Sequence, residues 1–376
     1  MRRVLFVGRT RYANPLSATH ARKFEAVGGV LDYRVVGSAA TAGPPPERFA
    51  LARPLPLRAL DGPAFYLRLP FLVARELRRF RPDAVIAQSP YEGLAALAGR
   101  ALARSRARVL VEVHGDWRTA PRLYGSQLRA LVAPVADRAA AVALRRADGV
   151  RTVSAFTTGL VRALGVEPAA VFHTYSDLDA FAAGDPKALP REPRFAFVGV
   201  LERYKNVEGL AAAWRLAAPR LPDATLELVG DGRLVATVEA LLRDVPGRTV
   251  WHRRLEPGEV AALLDRSWAL VLPSFSEGLP RVALEALARG RPVVGSRAGG
   301  IPDAVADGEN GLLVPPGDAP ALAEALVRLA SDPELAERLA SAARPSVEAL
   351  LRQPEEYAER LAALVEGLCR RQGAAV

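Results

Sequence analysis

Two glutamates, Glu277 and Glu285, have the spacing and surroundings that most clearly indicate chemistry in this sequence of 376 residues. Glu285 interrupts an otherwise apolar stretch, residues 280–288, whose pattern predicts a buried helix. A buried carboxylate needs a partner, because its unpaired burial is costly. Taken alone, Glu285 would most simply pair with an arginine or reach solvent. Its neighbours favour a role in ligand binding.

The stretch around these glutamates, residues 270–318, alternates short apolar strands with glycine-containing turns. Apolar runs at 270–272 and 292–295 predict two buried strands, and Pro280 suits the first turn of the helix between them. Gly299 and Gly300 follow the second strand, where backbone can approach a ligand closely. Doubly wound sheets bind nucleotides in loops that connect a strand's carboxyl end to a helix. The stretch therefore predicts a nucleotide site.

This stretch resembles the donor-binding half of the retaining family-4 glycosyltransferases, the glycosyl transferases group 1. The family signature is a pair of glutamates with seven residues between them, as in Glu277 and Glu285. The likeness continues through the phrases PVVGSRAGGIPDAV and NGLLVPPGD. The resemblance implies the GT-B fold: two Rossmann-like α/β domains that face each other across a cleft, with a C-terminal helix that crosses back to the first domain. It also implies that the second domain holds a nucleotide sugar and the first holds the acceptor.

The same resemblance assigns roles to individual residues. Glu285 would bind the ribose hydroxyls and Glu277 the donor sugar. The family has a lysine six residues after a glycine, and Gly199 and Lys205 match this pattern. Val200 stands where the family usually has arginine, and Arg203 could reach the phosphates instead. The predicted donor-binding residues are Gly199, Arg203, Lys205, Glu277, Gly278, Leu279, Pro280, Glu285, Gly299 and Gly300, and Lys205 and Glu277 are also predicted to be catalytic.

In the first half, His114 directly follows an apolar run at 108–113 that predicts a strand. A lone histidine is usually structural, but the family places a histidine that contacts the sugar after this strand. We therefore expect His114 to be catalytic. No obvious general base occurs in the first half, which fits a family mechanism in which the leaving phosphate takes the proton of the acceptor.

No metal ion or other cofactor is expected. The triplet Asp177-Leu178-Asp179 has the DxD form that binds a divalent metal in other glycosyltransferases, but it lies in the expected hinge. The charge that grows on the leaving diphosphate would instead be stabilised by Lys205 and by backbone N–H groups near residues 279–281.

Length and composition indicate a globular protein of two domains. We expect an acceptor-binding domain at 1–183, a linker at 184–193, a nucleotide-sugar-binding domain at 194–344, and C-terminal helices at 345–376 that return to the first domain. The single cysteine, Cys369, excludes an internal disulfide and fits a reducing cytosol. The sequence shows neither a signal-peptide core nor an apolar run long enough to span a membrane.

The positive charge is confined to the first half. Residues 1–183 contain 27 Lys and Arg against 14 Asp and Glu, whereas residues 184–376 contain 24 against 27. This indicates an anionic partner, and no nucleic acid is expected. Apolar positions between 69 and 80 form a helical stripe flanked by arginines: Arg68, Arg75, Arg78, Arg79 and Arg81. The basic face is either solvated or in contact with anionic lipid head groups. We expect a cytoplasmic protein, and a peripheral position on the inner face of the cell membrane stays open.

The sequence thus predicts a metal-independent, retaining glycosyltransferase that moves a hexose-type sugar from a nucleotide-diphosphate sugar to a carbohydrate or lipid-linked acceptor, in cell-envelope or exopolysaccharide synthesis. Two alternatives stay open. A GT-B-fold nucleotide-sugar epimerase shares the architecture but lacks the Glu277–Glu285 phrase, and a non-catalytic nucleotide-sugar-binding protein is mildly favoured by Val200. Glycogen-synthase relatives are not expected, since the chain is short and lacks their N-terminal lysine–glycine phrase.

Overall fold

The computed structural model describes residues 1–41, 43–119, 127–351 and 353–370, without the side chains of residues 58, 59 and 127–132. The described residues form two compact units. The first contains residues up to 118, residues 127–175 and residues 353–370; the second contains residue 119 and residues 176–351. No helix among these described ranges is long and apolar enough to cross a membrane.

The first unit is built on a parallel sheet whose described strands have the order β3-β2-β1-β4-β5-β6-β7. The strands are buried on both faces, as parallel sheets covered by helices are. The elements are β1 (Arg2–Tyr12), α1 (Ala18–Val30), β2 (Leu31–Ala39), β3 (Phe49–Ala52), α2 (Arg58–Phe80), β4 (Ala84–Ala87), α3 (Pro90–Ala103), β5 (Arg108–Val113), α4 (Gln127–Arg146), β6 (Gly149–Thr152), α5 (Ala155–Arg162) and β7 (Ala170–Val171).

The second unit repeats this plan with the described strand order β10-β9-β8-β11-β12-β13, also parallel. The elements are α6 (Asp179–Ala182), β8 (Arg194–Val198), a 3₁₀ turn (Arg203–Lys205), α7 (Val207–Ala217), a 3₁₀ turn (Ala218–Arg220), β9 (Thr225–Val229), α8 (Val235–Asp244), β10 (Thr249–His252), α9 (Pro257–Asp265), β11 (Ala269–Leu272), α10 (Arg281–Ala288), β12 (Val293–Ser296), β13 (Gly311–Val314), α11 (Ala319–Ser331), α12 (Pro333–Ala343) and a 3₁₀ turn (Pro345–Leu350). The last helix, α13 (Pro354–Arg370), belongs to the first unit.

The C-terminal helix α13 returns to the first domain, as predicted. Its buried face includes Tyr357, Leu361 and Val365, which belong to the same apolar cluster as Val4 and Phe6 of β1. The preceding 3₁₀ turn, Pro345–Leu350, lies instead in the second unit. Of the predicted long terminal helices, only α13 therefore lies on the first unit.

The stretch expected to be a linker, residues 184–193, belongs to the second unit, and the chain passes between units at 175/176. Buried arginines hold the segment there. Arg289 donates to the carbonyl oxygen of Ala183 at 2.6 Å, and Arg291, which is fully buried, donates to that of Lys187 at 2.7 Å. These hydrogen bonds keep the start of the predicted linker on the second domain.

Two short strands were not predicted. Strand β3 lies among prolines, between residues 46 and 54, and it is held there because Phe49 packs edge-on against Tyr12 and Phe24 at ring distances of 5.0 and 5.3 Å. Strand β7 has only two residues and pairs with β6 at the edge of the sheet. Helix α2 also begins at Arg58, well before its predicted start at residue 69.

Candidate functional site

Three loops of the second unit meet at one edge of its sheet. They follow β8, β11 and β12, which are adjacent and parallel, and they begin at Gly199, Pro273 and Arg297. Because neighbouring parallel strands present their carboxyl ends at the same edge, the predicted donor-binding residues come together there.

The centre of this cluster is an ion pair between Lys205 and Glu277. The Nζ atom of Lys205 lies 2.7 Å from Oε1 of Glu277, and the two side chains are 10% and 12% exposed. Asn206, in the left-handed conformation, caps helix α7 directly after Lys205. The N–H of Phe275 donates to the carbonyl oxygen of Tyr204 at 2.8 Å, which ties the two loops together. Lys205 is therefore held by its ion pair with Glu277 and by the hydrogen bond that joins the two loops.

The third loop packs on the backbone of Glu277. Gly299 has a φ of +57°, and a Cβ atom there would lie 2.4 Å from the carbonyl oxygen of Glu277. The N–H of Gly300 donates to that same oxygen at 2.9 Å. The sequence predicted that this glycine pair lets backbone approach a ligand; the close approach that the structure shows is to Glu277. Gly299 and Gly300 therefore position Glu277.

Glu285 is buried in helix α10 and pairs with Arg281 one turn earlier, at 2.7 Å between Nε and Oε1. Burial raises the pKa of the Glu285 carboxyl above its ordinary value, although the charges of Arg281 and Lys205 oppose the shift. The simplest interpretation, a pairing with arginine, is thus what the structure shows. Because Arg281 is 45% exposed, this partner remains accessible to a ligand.

The first turn of α10 faces the same group of residues. Gly278 and Leu279 are partly exposed, and Pro280 is the N-cap residue rather than the first helical residue that the sequence predicted. Pro280 supplies no side-chain hydrogen bond to the first N–H groups of the helix. Such N–H groups and the helix dipole attract anions, so this turn can contribute to a phosphate site.

The loop after β8 departs from the family pattern. Gly199 packs against the stem of Lys205, since a Cβ atom there would lie 3.4 Å from Cε. Val200 is 47% exposed and brings no charge to the site. Arg203 is exposed and lies at the start of the turn that ends in Lys205. Whether its guanidinium reaches a phosphate stays a prediction.

His114 lies in the first unit, directly after β5, and both of its ring nitrogens have protein partners. Nε2 is 3.1 Å from Oε2 of Glu112, and Nδ1 is 3.3 Å from Oγ1 of Thr174. Arg151, fully buried, joins the other side of this group, with its guanidinium 2.8 Å from Glu112. The sequence alone predicted neither the two partners of His114 nor the arginine that joins them.

The DxD triplet contacts its own backbone and the arginine that pairs with Glu285. The carboxylate of Asp177 accepts a hydrogen bond from the N–H of Asp179 at 3.3 Å, and the carbonyl oxygen of Asp177 accepts one from Arg281 at 2.9 Å. Within the described ranges no three His, Cys, Asp or Glu side chains form a group that could hold a metal ion.

Two parallel α/β units, with a C-terminal helix that returns to the first, define the GT-B fold. Solved structures share it. Sucrose-phosphate synthase from Thermosynechococcus elongatus matches with a TM-score of 0.78 over 100% of both chains at 21% identity. An Anabaena protein solved in complex with UDP and glucose matches with a TM-score of 0.70 over 97% of this chain and 100% of that one at 19% identity. Identities this low establish the fold alone.

Family models match both units. The model described as glycosyl transferase 4-like domain matches residues 22–173, and the model described as glycosyl transferases group 1 matches residues 184–345. The chain belongs to the group 1 glycosyl transferases, with a family 4-like first domain, as the residues around Glu277 and Glu285 predicted.

Curated relatives align over part of their length. Glycogen synthase from Mycobacterium tuberculosis is 38% identical over 166 residues, which are 44% of this chain and 40% of that protein. Sulfoquinovosyl transferase from Arabidopsis thaliana is 34% identical over 162 residues, which are 42% of this chain and 31% of that protein. The aligned part of the chain thus spans about two fifths or less of these relatives. A glycogen synthase was not expected among them.

Proposed function

We propose that this protein is a retaining glycosyltransferase that transfers a hexose-type sugar from a nucleoside-diphosphate sugar. The observation that carries the proposal is the largely buried Lys205–Glu277 pair, which precedes the first turn of α10. A cation and the N-terminus of a helix at the carboxyl edge of a parallel sheet suit a diphosphate. UDP-sugars are the first donors to test, because the Anabaena neighbour was solved with UDP and with UDP-glucose.

In this proposal, binding of the nucleoside-diphosphate sugar separates Lys205 from Glu277. Lys205 would move from Glu277 to the diphosphate, whose negative charge grows as the glycosidic bond breaks. The released oxygen of Glu277 could then accept hydrogen bonds from donor-sugar hydroxyls. Glu285 would bind the ribose, and the leaving phosphate would take the proton of the acceptor. None of these steps needs a metal ion.

The acceptor is proposed to be lipid-linked or anionic and reached at a membrane surface. On α2, Leu67 and Phe71 are 74% and 68% exposed, one turn apart. Arg75 and Arg78 continue the same side of the helix and are exposed as well. Large apolar side chains beside a row of arginines suit the interface of an anionic bilayer.

A non-catalytic binder of nucleotide sugars is the second candidate, because Val200 leaves the site one cation short of the family pattern. The purified chain should be incubated with a panel of UDP-, GDP- and ADP-sugars, and free nucleoside diphosphate and released or transferred sugar should be measured. A retaining transferase releases the diphosphate and bonds the sugar to an acceptor or to water with unchanged anomeric configuration. Binding without release supports the second candidate, and an inverted product excludes the retaining mechanism.

A further inference from the structure

His114 and three other side chains of the first unit form a closed ring of hydrogen bonds. Arg151 donates to Oε1 of Glu112 at 3.0 Å through Nε and to Oγ1 of Thr174 at 2.9 Å through a terminal nitrogen. Glu112 and Thr174 in turn contact the two nitrogens of His114, at 3.1 and 3.3 Å. Residues from β5, β6 and the segment after β7 thus converge on one imidazole.

The chemistry of the partners places a proton on Nε2 of His114. An arginine only donates hydrogen bonds and an ionised glutamate only accepts them. Glu112 therefore accepts from Nε2–H of His114. Thr174 Oγ1 accepts from Arg151 and keeps a hydrogen of its own, which it can donate to Nδ1 when the imidazole carries a single proton, on Nε2. In that tautomer every contact of the ring joins a donor to an acceptor.

Burial makes this arrangement rigid. Arg151 is 0% exposed and Glu112 is 2% exposed. Burial alone would raise the pKa of Glu112, but the charge of Arg151, the hydrogen bond from His114 and the charge of Lys23 hold that pKa well below its usual range. Glu112 is therefore ionised at neutral pH and accepts hydrogen bonds. Arg151 is fixed further by donating to the carbonyl oxygen of Phe172 at 2.7 Å.

We infer that Glu112 and Arg151 are positioning residues that hold His114 in the Nε2–H tautomer, so that Nδ1 accepts a hydrogen bond from a substrate hydroxyl. The contact of Nδ1 with Thr174 is the longest in the ring, and a sugar hydroxyl can replace the threonine hydroxyl as donor. An acceptor nitrogen does not bind phosphate or carboxylate. His114 would therefore recognise a hydroxyl and would not act as a cationic anchor. The inference about the substrate rests on the proposed glycosyl transfer; the tautomer does not.

Nitrogen-15 NMR of the whole chain tests the tautomer, since the sequence has only four histidines and His114→Asn identifies the signals. At pH 7.5 we expect a protonated Nε2 and an unprotonated Nδ1. In Glu112→Gln, the amide should turn its oxygen to Arg151 and its NH₂ to His114, which moves the proton to Nδ1. Thr174→Val should keep the Nε2–H tautomer. Glu76→Gln is the matched control, because Glu76 is also buried and paired with arginines, and it should leave His114 unchanged.

A charged or Nδ1–H imidazole in the wild type, or an unaltered tautomer in Glu112→Gln, overturns the inference. Where the wild type transfers sugar, Glu112→Gln should also lower kcat/KM about tenfold, as expected for one lost hydrogen bond to substrate. Equal rates in the two proteins would contradict the role of Nδ1. A wild type that transfers no sugar contradicts the proposed function, while the NMR result still decides the tautomer.

Discussion

The ammonium group of Lys205 is 2.7 Å from the carboxylate of Glu277, although 72 residues separate them in sequence and about a tenth of each side chain is exposed. Such a pair is worth little by itself, but removal of one partner is destabilising, because the other charge stays largely out of water. A diphosphate that enters the site would replace one partner and free the other. In the proposed mechanism, the pair would therefore couple phosphate binding to the availability of Glu277.

Gly299→Ala should lower both the stability of the protein and its affinity for the donor. An alanine at a φ of +57° costs about 1–2 kcal/mol, and its Cβ would also collide with the carbonyl oxygen of Glu277. Gly247→Ala is the control, since Gly247 has a φ of +73° with open space around it. Both variants should lower Tm, but only Gly299→Ala should lower donor affinity in calorimetry. Equal affinities would show that the contact does not position Glu277.

Donor binding should weaken on acidification at a higher pH than an ordinary glutamate would give, because burial raises the pKa of Glu285. Arg281→Gln should move that loss to still higher pH, since the arginine charge opposes the shift. For stability the sign is opposite. The folded protein binds this proton more tightly than the unfolded chain, so the contribution of Glu285 improves as pH falls through its raised pKa.

Affinity titrations between pH 4.5 and 8 measure these effects. Glu285→Gln serves as the control and should remove the acid dependence that belongs to this residue. An identical pH dependence in wild type, Arg281→Gln and Glu285→Gln would exclude an ionised Glu285 from donor binding.

Activity should survive removal of divalent metal ions. The proposed stabilisation of the leaving diphosphate uses Lys205 and the first N–H groups of α10, and it includes no metal. Initial rates of diphosphate release before and after treatment with EDTA test this. A loss of activity that Mg²⁺ or Mn²⁺ restores would contradict a metal-free mechanism.

Binding to anionic vesicles should depend on the exposed face of α2. Reversal of Arg75, Arg78 and Arg79 to Glu should reduce co-sedimentation with phosphatidylglycerol vesicles or raise KM for a lipid-linked acceptor, and added salt should act in the same direction. Leu67→Ser with Phe71→Ser should reduce the part of the binding that resists salt.

The matched control for this surface changes the same charge elsewhere. Arg233, Arg243 and Arg254 are exposed on the second unit, and their reversal to Glu should leave vesicle binding intact. If both triple variants lose binding equally, net charge and not α2 is responsible. If neither responds, the basic face of α2 is merely solvated.

The sequence was sufficient for what depends on neighbouring residues. Most strand positions follow from short apolar runs, and Ser17, Ser89 and Ser154 cap helices α1, α3 and α5. The pairing of Arg281 with Glu285 was also accessible, because residues four apart share a helix face.

Contacts between distant segments could not be predicted from the sequence. Lys205 meets Glu277 only because β8 and β11 are adjacent in the sheet, and strand order does not follow from periodicity. The partner of Glu112, Arg151, lies 39 residues later and was indistinguishable from the many surface arginines. Strand β3 was missed for the same reason, since Phe49 is held by aromatic rings from β1 and α1.

The most direct test of the donor site compares Lys205→Ala with Glu285→Gln, using calorimetry for donor affinity and steady-state kinetics for kcat, on variants whose folding is verified by circular dichroism. Lys205 meets charge that grows in the transition state, so Lys205→Ala should lower kcat by ~10²-fold or more. Glu285 binds a ribose that does not change, so Glu285→Gln should weaken donor binding by roughly 1–3 kcal/mol with a smaller effect on kcat. Glu277→Gln should depress both quantities. An unchanged donor affinity in Glu285→Gln together with an unchanged kcat in Lys205→Ala would contradict the assignment of this unit as the donor site.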